Sequence, residues 1–209
     1  MKKTLFALAV MAATTVPAFA NSVDVKVTGT ITPDACIATL SNGGVFDYGV
    51  IKADTLVTDN FTVLDKKYMK INVTCSAPTK IALKTTSSRP DTDRPAGLDY
   101  SPLIALAADD GKKVGAYGLA IEKPIFNGAS GKLVTINNGI VGGAVDYAVS
   151  LTVPTRIVSF SSASASTLQA LTTLSADIFA ETRINKASEL DLSKEIKIDG
   201  LATIELVYL

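Results

Sequence analysis

The side chains able to do chemistry are few and poorly matched to one another. The chain has no histidine and only two cysteines among its 209 residues. Without imidazole, the commonest general base and the usual serine or cysteine triads are unavailable. There is no G-x-S-x-G elbow. Gly128 to Leu133 is a poor phosphate loop: its glycine spacing is wrong, and Leu133 sits where Ser or Thr must meet magnesium. Two acidic pairs remain, Asp91/Asp93 and Asp109/Asp110. The first would bind calcium only if other oxygens converged on it, and a solvated loop is the simpler reading. The second precedes Gly111 and reads as a turn former. The expectation is a protein that is not an enzyme, with no cofactor, no metal and no small-molecule substrate.

Cys36 and Cys75 are too far apart in sequence for a C-x-x-C redox motif. Two cysteines allow a single intramolecular pairing. An intermolecular bridge or a metal site competes with it, though a metal would lack histidine and a third thiol. A Cys36–Cys75 bond would close a loop of about 40 residues, worth roughly 4 kcal/mol in the chain-entropy model. Upstream, Lys2 and Lys3, the apolar run Leu5 to Val16 and the box Ala18-Phe19-Ala20 form an export signal, with Asn21 as the first mature residue. The apolar run is short for a membrane anchor. Residues 1–20 therefore read as a signal peptide and 21–209 as one exported domain. Of the chain's 20 basic and 20 acidic residues, Lys2 and Lys3 fall in the leader, so the domain keeps 18 basic against 20 acidic and no basic stripe, which argues against nucleic acid.

Elements with a period of two must position these residues. Val23, Val25, Val27, Gly29 and Ile31 alternate with Asp24, Lys26, Thr28 and Thr30. Met69, Ile71, Val73 and Cys75 alternate with polar neighbours, and so do Ala202, Ile204, Leu206 and Tyr208. Such alternation predicts strands with one buried face. The run Val145, Tyr147, Val149, Leu151, Val153 predicts another. Asp109-Asp110-Gly111-Lys112, Asn127-Gly128 and Asn138-Gly139 predict turns. Ser87 to Pro95 reads as a polar surface loop, and Ser159 to Thr167 as the least ordered stretch. Leu168, Leu171 and Leu174 fall at helical spacing and predict a short helix. The fold class expected is all-β, a single antiparallel β-sandwich.

The order Val25-x-Val27-x-Gly29-x-Ile31, with Cys36 seven residues after Gly29, resembles the N-terminal signature of chaperone–usher pilus (fimbrial) subunits. Phe46-Asp47-Tyr48-Gly49-Val50 resembles that family's hydrophobic-Gly turn. Phe61 to Cys75 resembles its second-cysteine strand, and Gly200-x-Ala202-Thr203-Ile204 with penultimate Tyr208 its C-terminal pattern. The chain is also similar to pilin-like Gram-negative secreted proteins of a domain-of-unknown-function family. Residues 78–192 do not match the pilin pattern closely.

The resemblance implies an immunoglobulin-like (pilin-type) sandwich stapled by one disulfide and lacking its last strand. It implies a periplasmic chaperone, an outer-membrane usher, and like subunits or neighbouring pilins as partners. It also implies passage through the periplasm to a cell-surface fimbria. Val23, Val25, Val27, Gly29 and Ile31 would be the donor strand. Ile204, Leu206 and Tyr208 would lie on the chaperone-facing C-terminal strand. The period-two pattern fits equally well a first strand internal to the domain, and with it a self-contained monomeric periplasmic or secreted module.

Overall fold

The computed structural model describes residues 36–98 and 102–209. Twelve strands occur in them: β1 (Cys36–Leu40), β2 (Thr62–Val63), β3 (Lys67–Thr79), β4 (Ile81–Ser87), β5 (Ile104–Ala105), β6 (Gly115–Phe126), β7 (Ala129–Asn137), β8 (Ile140–Val145), β9 (Val149–Ser150), β10 (Arg156–Ser162), β11 (Leu171–Ile184) and β12 (Ala202–Tyr208). The described residues contain no α-helix, only four short 3-10 turns. Every strand pair is antiparallel. The expected all-β antiparallel fold is therefore present, as a nearly closed sheet with barrel-like continuity around one core.

The order along the sheet is β1-β3-β11-β6-β7-β10-β4-β12. It folds into two layers, β1-β3-β11-β6 and β7-β10-β4-β12. Only Lys80 separates β3 from β4, so one stretch of chain serves both layers. The layers are also continuous at the β6–β7 hairpin, where Ile125 pairs with Ser130 and Phe126 with Ala129. Asn127 and Gly128 at its tip both take positive φ, 49° and 81°, as a tight hairpin with right-handed strand twist requires. Both layers send apolar side chains inward: Ile71, Val73, Ile121 and Ile178 from one, Leu83, Leu133, Val158 and Phe160 from the other, all at most 1% exposed.

Three local expectations fail for identifiable reasons. Leu171 and Leu174 belong to β11, not to a helix. Both point inward because the β11–β3 register shifts between Leu171 and Thr173, and a bulge converts a spacing of two into three. The Val145–Val153 run is interrupted: β8 ends at Val145, and residues 146–148 lead to β9, which pairs with β6. Tyr147 in that connection is exposed while Val149 and Leu151 are buried. The serine-rich stretch begins inside β10. Ser159 is buried and donates its hydroxyl to the Ile81 carbonyl at 2.6 Å, so its polar atom is satisfied within the sheet.

Cys36 and Cys75 form a disulfide across directly paired residues of β1 and β3, with a sequence separation of 39. The bridge ties the terminal strand of the sheet to its neighbour. Replacing both cysteines by alanine should lower unfolding stability by about 4 kcal/mol through loop entropy, read as a fall in the urea midpoint with a steeper slope, because the uncrosslinked denatured chain exposes more surface. An unchanged midpoint would show that the bridge constrains nothing.

Candidate functional site

The two ends of the sheet, β1 and β12, are joined by no backbone ladder among the described residues. They meet through a side chain: the Cys36 backbone N–H donates to the Tyr208 hydroxyl at 2.9 Å. Beyond that contact both edges line a cavity of about 560 Å³. Its rims are Ala38 and Leu40 of β1 and Ile204 and Leu206 of β12. Its floor is core: Met69, Ile71, Leu83, Leu119 and Ile178. A second cavity of about 620 Å³ continues it, and the two share Val45, Phe46, Tyr48 and Ile198. Protein interiors rarely hold voids larger than a water molecule, so an apolar groove of this size opening onto the core is the site most in need of explanation.

Each rim has a local cause. On one side, Val45 to Ile51 continue from β1 without joining a ladder. Gly49 takes a left-handed φ of 62°, and its N–H donates to the Asp47 carboxylate at 2.8 Å, so this is the turn on which the pilin resemblance partly rested. On the other side, Leu190, Leu192, Lys194, Ile196 and Ile198 line the second cavity at a spacing of two. This strap turns at residues 192–194, and residues 195–201 belong to no ladder. It is held by ion pairs, Lys194 on Asp109 at 3.0 Å and also on Asp110, and Asp199 on Arg89 at 2.5 Å, by the Ala107 N–H donating to the Asp199 carbonyl at 2.8 Å, and by Leu190 and Ile196 packed against the core. Hydrogen bonds that Lys194 donates to the Asp110 and Asp109 carboxylates push its ammonium above its usual range. Asp109 and Asp110 thus anchor the strap as well as forming a turn. At the strap's end Gly200 is required, because a Cβ there would lie 2.7 Å from the Tyr117 ring.

Of the residues singled out in the sequence, Ile204 and Leu206 are partly buried against the core at the rim. Tyr208 is half-exposed and caps Cys36. Val23, Val25, Val27, Gly29 and Ile31, and the cleavage residues Ala18, Ala20 and Asn21, lie outside the described residues. Asp91 pairs with Arg94 at 3.7 Å, and among the described residues no three metal-ligating side chains gather. The strap was missed by sequence reasoning. Its signal was the alternation that runs back from Ala202 to Leu190, broken only by Lys194 and Gly200.

Residues 25–105 match the model of a family described as "Protein of unknown function (DUF1120)". The chain is similar to Protein GltF of Escherichia coli (strain K12), 26% identical over 255 aligned residues covering 100% of this chain and 99% of that protein. It is also similar to the uncharacterized protein YhcF of the same organism, 27% identical over 218 residues and 90% of each chain.

Tyr117 closes the polar end of the groove. Burial pushes its phenol from 10.0 up to about 12, with Arg89 lowering and Asp199 raising it. A folded-state value above the unfolded one favours the folded chain while the phenol stays neutral. That contribution is intact below pH 10 and is lost as pH rises towards 12. Tyr117→Phe should therefore lose less stability than the parent between those pH values, measured as urea midpoints. Parallel profiles would show that Tyr117 ionises as freely as in the unfolded chain.

Proposed function

We propose that the protein is a structural subunit of a chaperone–usher surface fimbria that polymerises by strand addition. The observation that carries this reading is that, among the described residues, no ladder joins β1 and β12, with a groove between them that reaches core residues of both layers. An exposed strand edge presents a row of unpaired N–H and C=O groups and templates another strand. In strand addition, backbone hydrogen bonds supply affinity, and alternate side chains entering pockets supply specificity. The groove supplies an apolar floor for such side chains. Val23, Val25, Val27 and Ile31 supply an apolar row at the required period of two.

On this reading a periplasmic chaperone fills the groove first, and the N-terminal segment of a neighbouring subunit replaces it at the usher. The disulfide suits an oxidising compartment, in keeping with export and a surface destination. The reading assigns the protein no catalytic role. Deleting Asn21 to Thr28 should abolish polymers, seen as loss of denaturant-resistant ladders on a gel, while the domain still co-purifies with its chaperone. Polymers of normal length from the deleted chain would refute the proposal.

A further inference from the structure

We propose that Tyr208 is a latch on the groove: its hydroxyl holds the Cys36 N–H in the unassembled subunit and yields that N–H to the backbone of an incoming strand. The inference rests on the strand-addition reading above. It adds the contact that must break before a strand can pair with the full length of both rims.

Hydrogen-bond alternation fixes which backbone groups the two rims turn away from their own ladders. The Leu209 N–H donates to the Lys80 carbonyl at 3.0 Å, and the Ser88 N–H to the Leu201 carbonyl at 3.1 Å. Between these points β12 pairs with β4 without a register shift, from Ala202 opposite Ser87 to Tyr208 opposite Ile81. In an antiparallel ladder, successive residues alternate between bonding the neighbour and facing away from it. Thr203, Glu205 and Val207 therefore bond β4, and the backbone groups of Ala202, Ile204, Leu206 and Tyr208 face away from it. On β1 the Cys36 N–H is turned to Tyr208 rather than to Cys75 opposite it. The same alternation turns Ala38 and Leu40 away from β3. Ala38, Leu40, Ile204 and Leu206 also line the groove, so a strand lying there can bond both rims while its alternate side chains enter the cavity.

The Cys36–Tyr208 end differs from the rest. There the Cys36 N–H already has an acceptor, the Tyr208 hydroxyl at 2.9 Å. A strand that pairs with β1 as far as Cys36 must offer a backbone carbonyl to the same N–H, so the phenol has to leave. Both residues are anchored by other bonds. The disulfide and the β1–β3 ladder fix Cys36, and the ladder to β4 fixes the backbone of Tyr208. The phenol can therefore swing away without disturbing either rim. The contact is exposed, and Tyr208 itself is 48% exposed. Water can take over both partners on release, and no polar group is stranded in the core. One such bond occupies the N–H, yet a ladder of several bonds displaces it.

The test compares the oxidised mature protein with Y208F in two readouts. Amide exchange at Cys36 in the monomer should be roughly fivefold faster in Y208F, the ratio set by one ordinary hydrogen bond. Denaturant-resistant oligomers should appear faster by about the same factor, and oligomers of both proteins should protect Cys36 alike. V158A is the control: Val158 is fully buried and lines neither cavity, so its truncation should lower the urea midpoint without touching the latch. If V158A accelerates assembly as much as Y208F does, destabilisation alone explains the rate and the latch is overturned. An equal or slower assembly rate in Y208F also overturns it while strand addition stands. Unchanged exchange at Cys36 overturns it too, because the hydroxyl then guards nothing. If the parent forms no denaturant-resistant oligomers although Cys36 exchange responds to Y208F, the strand-addition reading has failed and the contact is structural only.

Discussion

A sheet is stable only if its backbone polar groups are paired, and among the described residues no ladder joins the two ends of this sheet, β1 and β12. Ladders join every other pair of neighbours around the ring from β1 to β12. Between those two, among the described residues, a hydrogen bond from the Cys36 N–H to the Tyr208 hydroxyl makes the contact. The buried floor, the two continuous cavities and the strap all follow from that gap. An unmade backbone hydrogen bond costs little where water reaches it and far more where it does not. The gap is therefore tolerable as an open groove, and it becomes a binding site once an extended segment brings its own donors and acceptors.

The rest of the chain keeps the gap in shape. The disulfide holds β1 to β3, so the first rim cannot peel away. The second rim is held by β12 pairing along its whole length with β4. Before β12 the strap is held by Leu190 and Ile196 against the core and by the Ala107–Asp199 backbone hydrogen bond, with ion pairs from Lys194 to Asp109 and Asp110 and from Asp199 to Arg89 at its surface. Ion pairs with exposed partners contribute little stability individually.

Much of this was legible in the sequence, and what was not has definite physical origins. Alternation at Met69–Cys75 and Ala202–Tyr208 located β3 and β12 because each strand has one wet face. The turn signals at Asn127-Gly128 and Asn138-Gly139 were reliable because those residues tolerate positive φ. Leu171 and Leu174 misled because a register shift imitates helical spacing. Ser159 misled because its hydroxyl is satisfied by the Ile81 carbonyl of a strand distant in sequence. Of the site, the Ile204–Leu206 rim was visible. Its floor was not, since residues from β3, β4, β6 and β11 meet there only through topology.

The central claim is that the outer edge of β12 is unpaired in the single subunit and paired in the polymer. Amide hydrogen exchange across Ala202–Tyr208, compared between monomeric and polymerised fractions of the oxidised mature protein, measures this directly. The account predicts that, in the monomer, amides pointing away from β4 exchange quickly while those bonded to β4 are slow, and that both sets are slow in the polymer. Equal protection of both sets in a stable monomer would mean that the sandwich closes on itself, and would contradict the account.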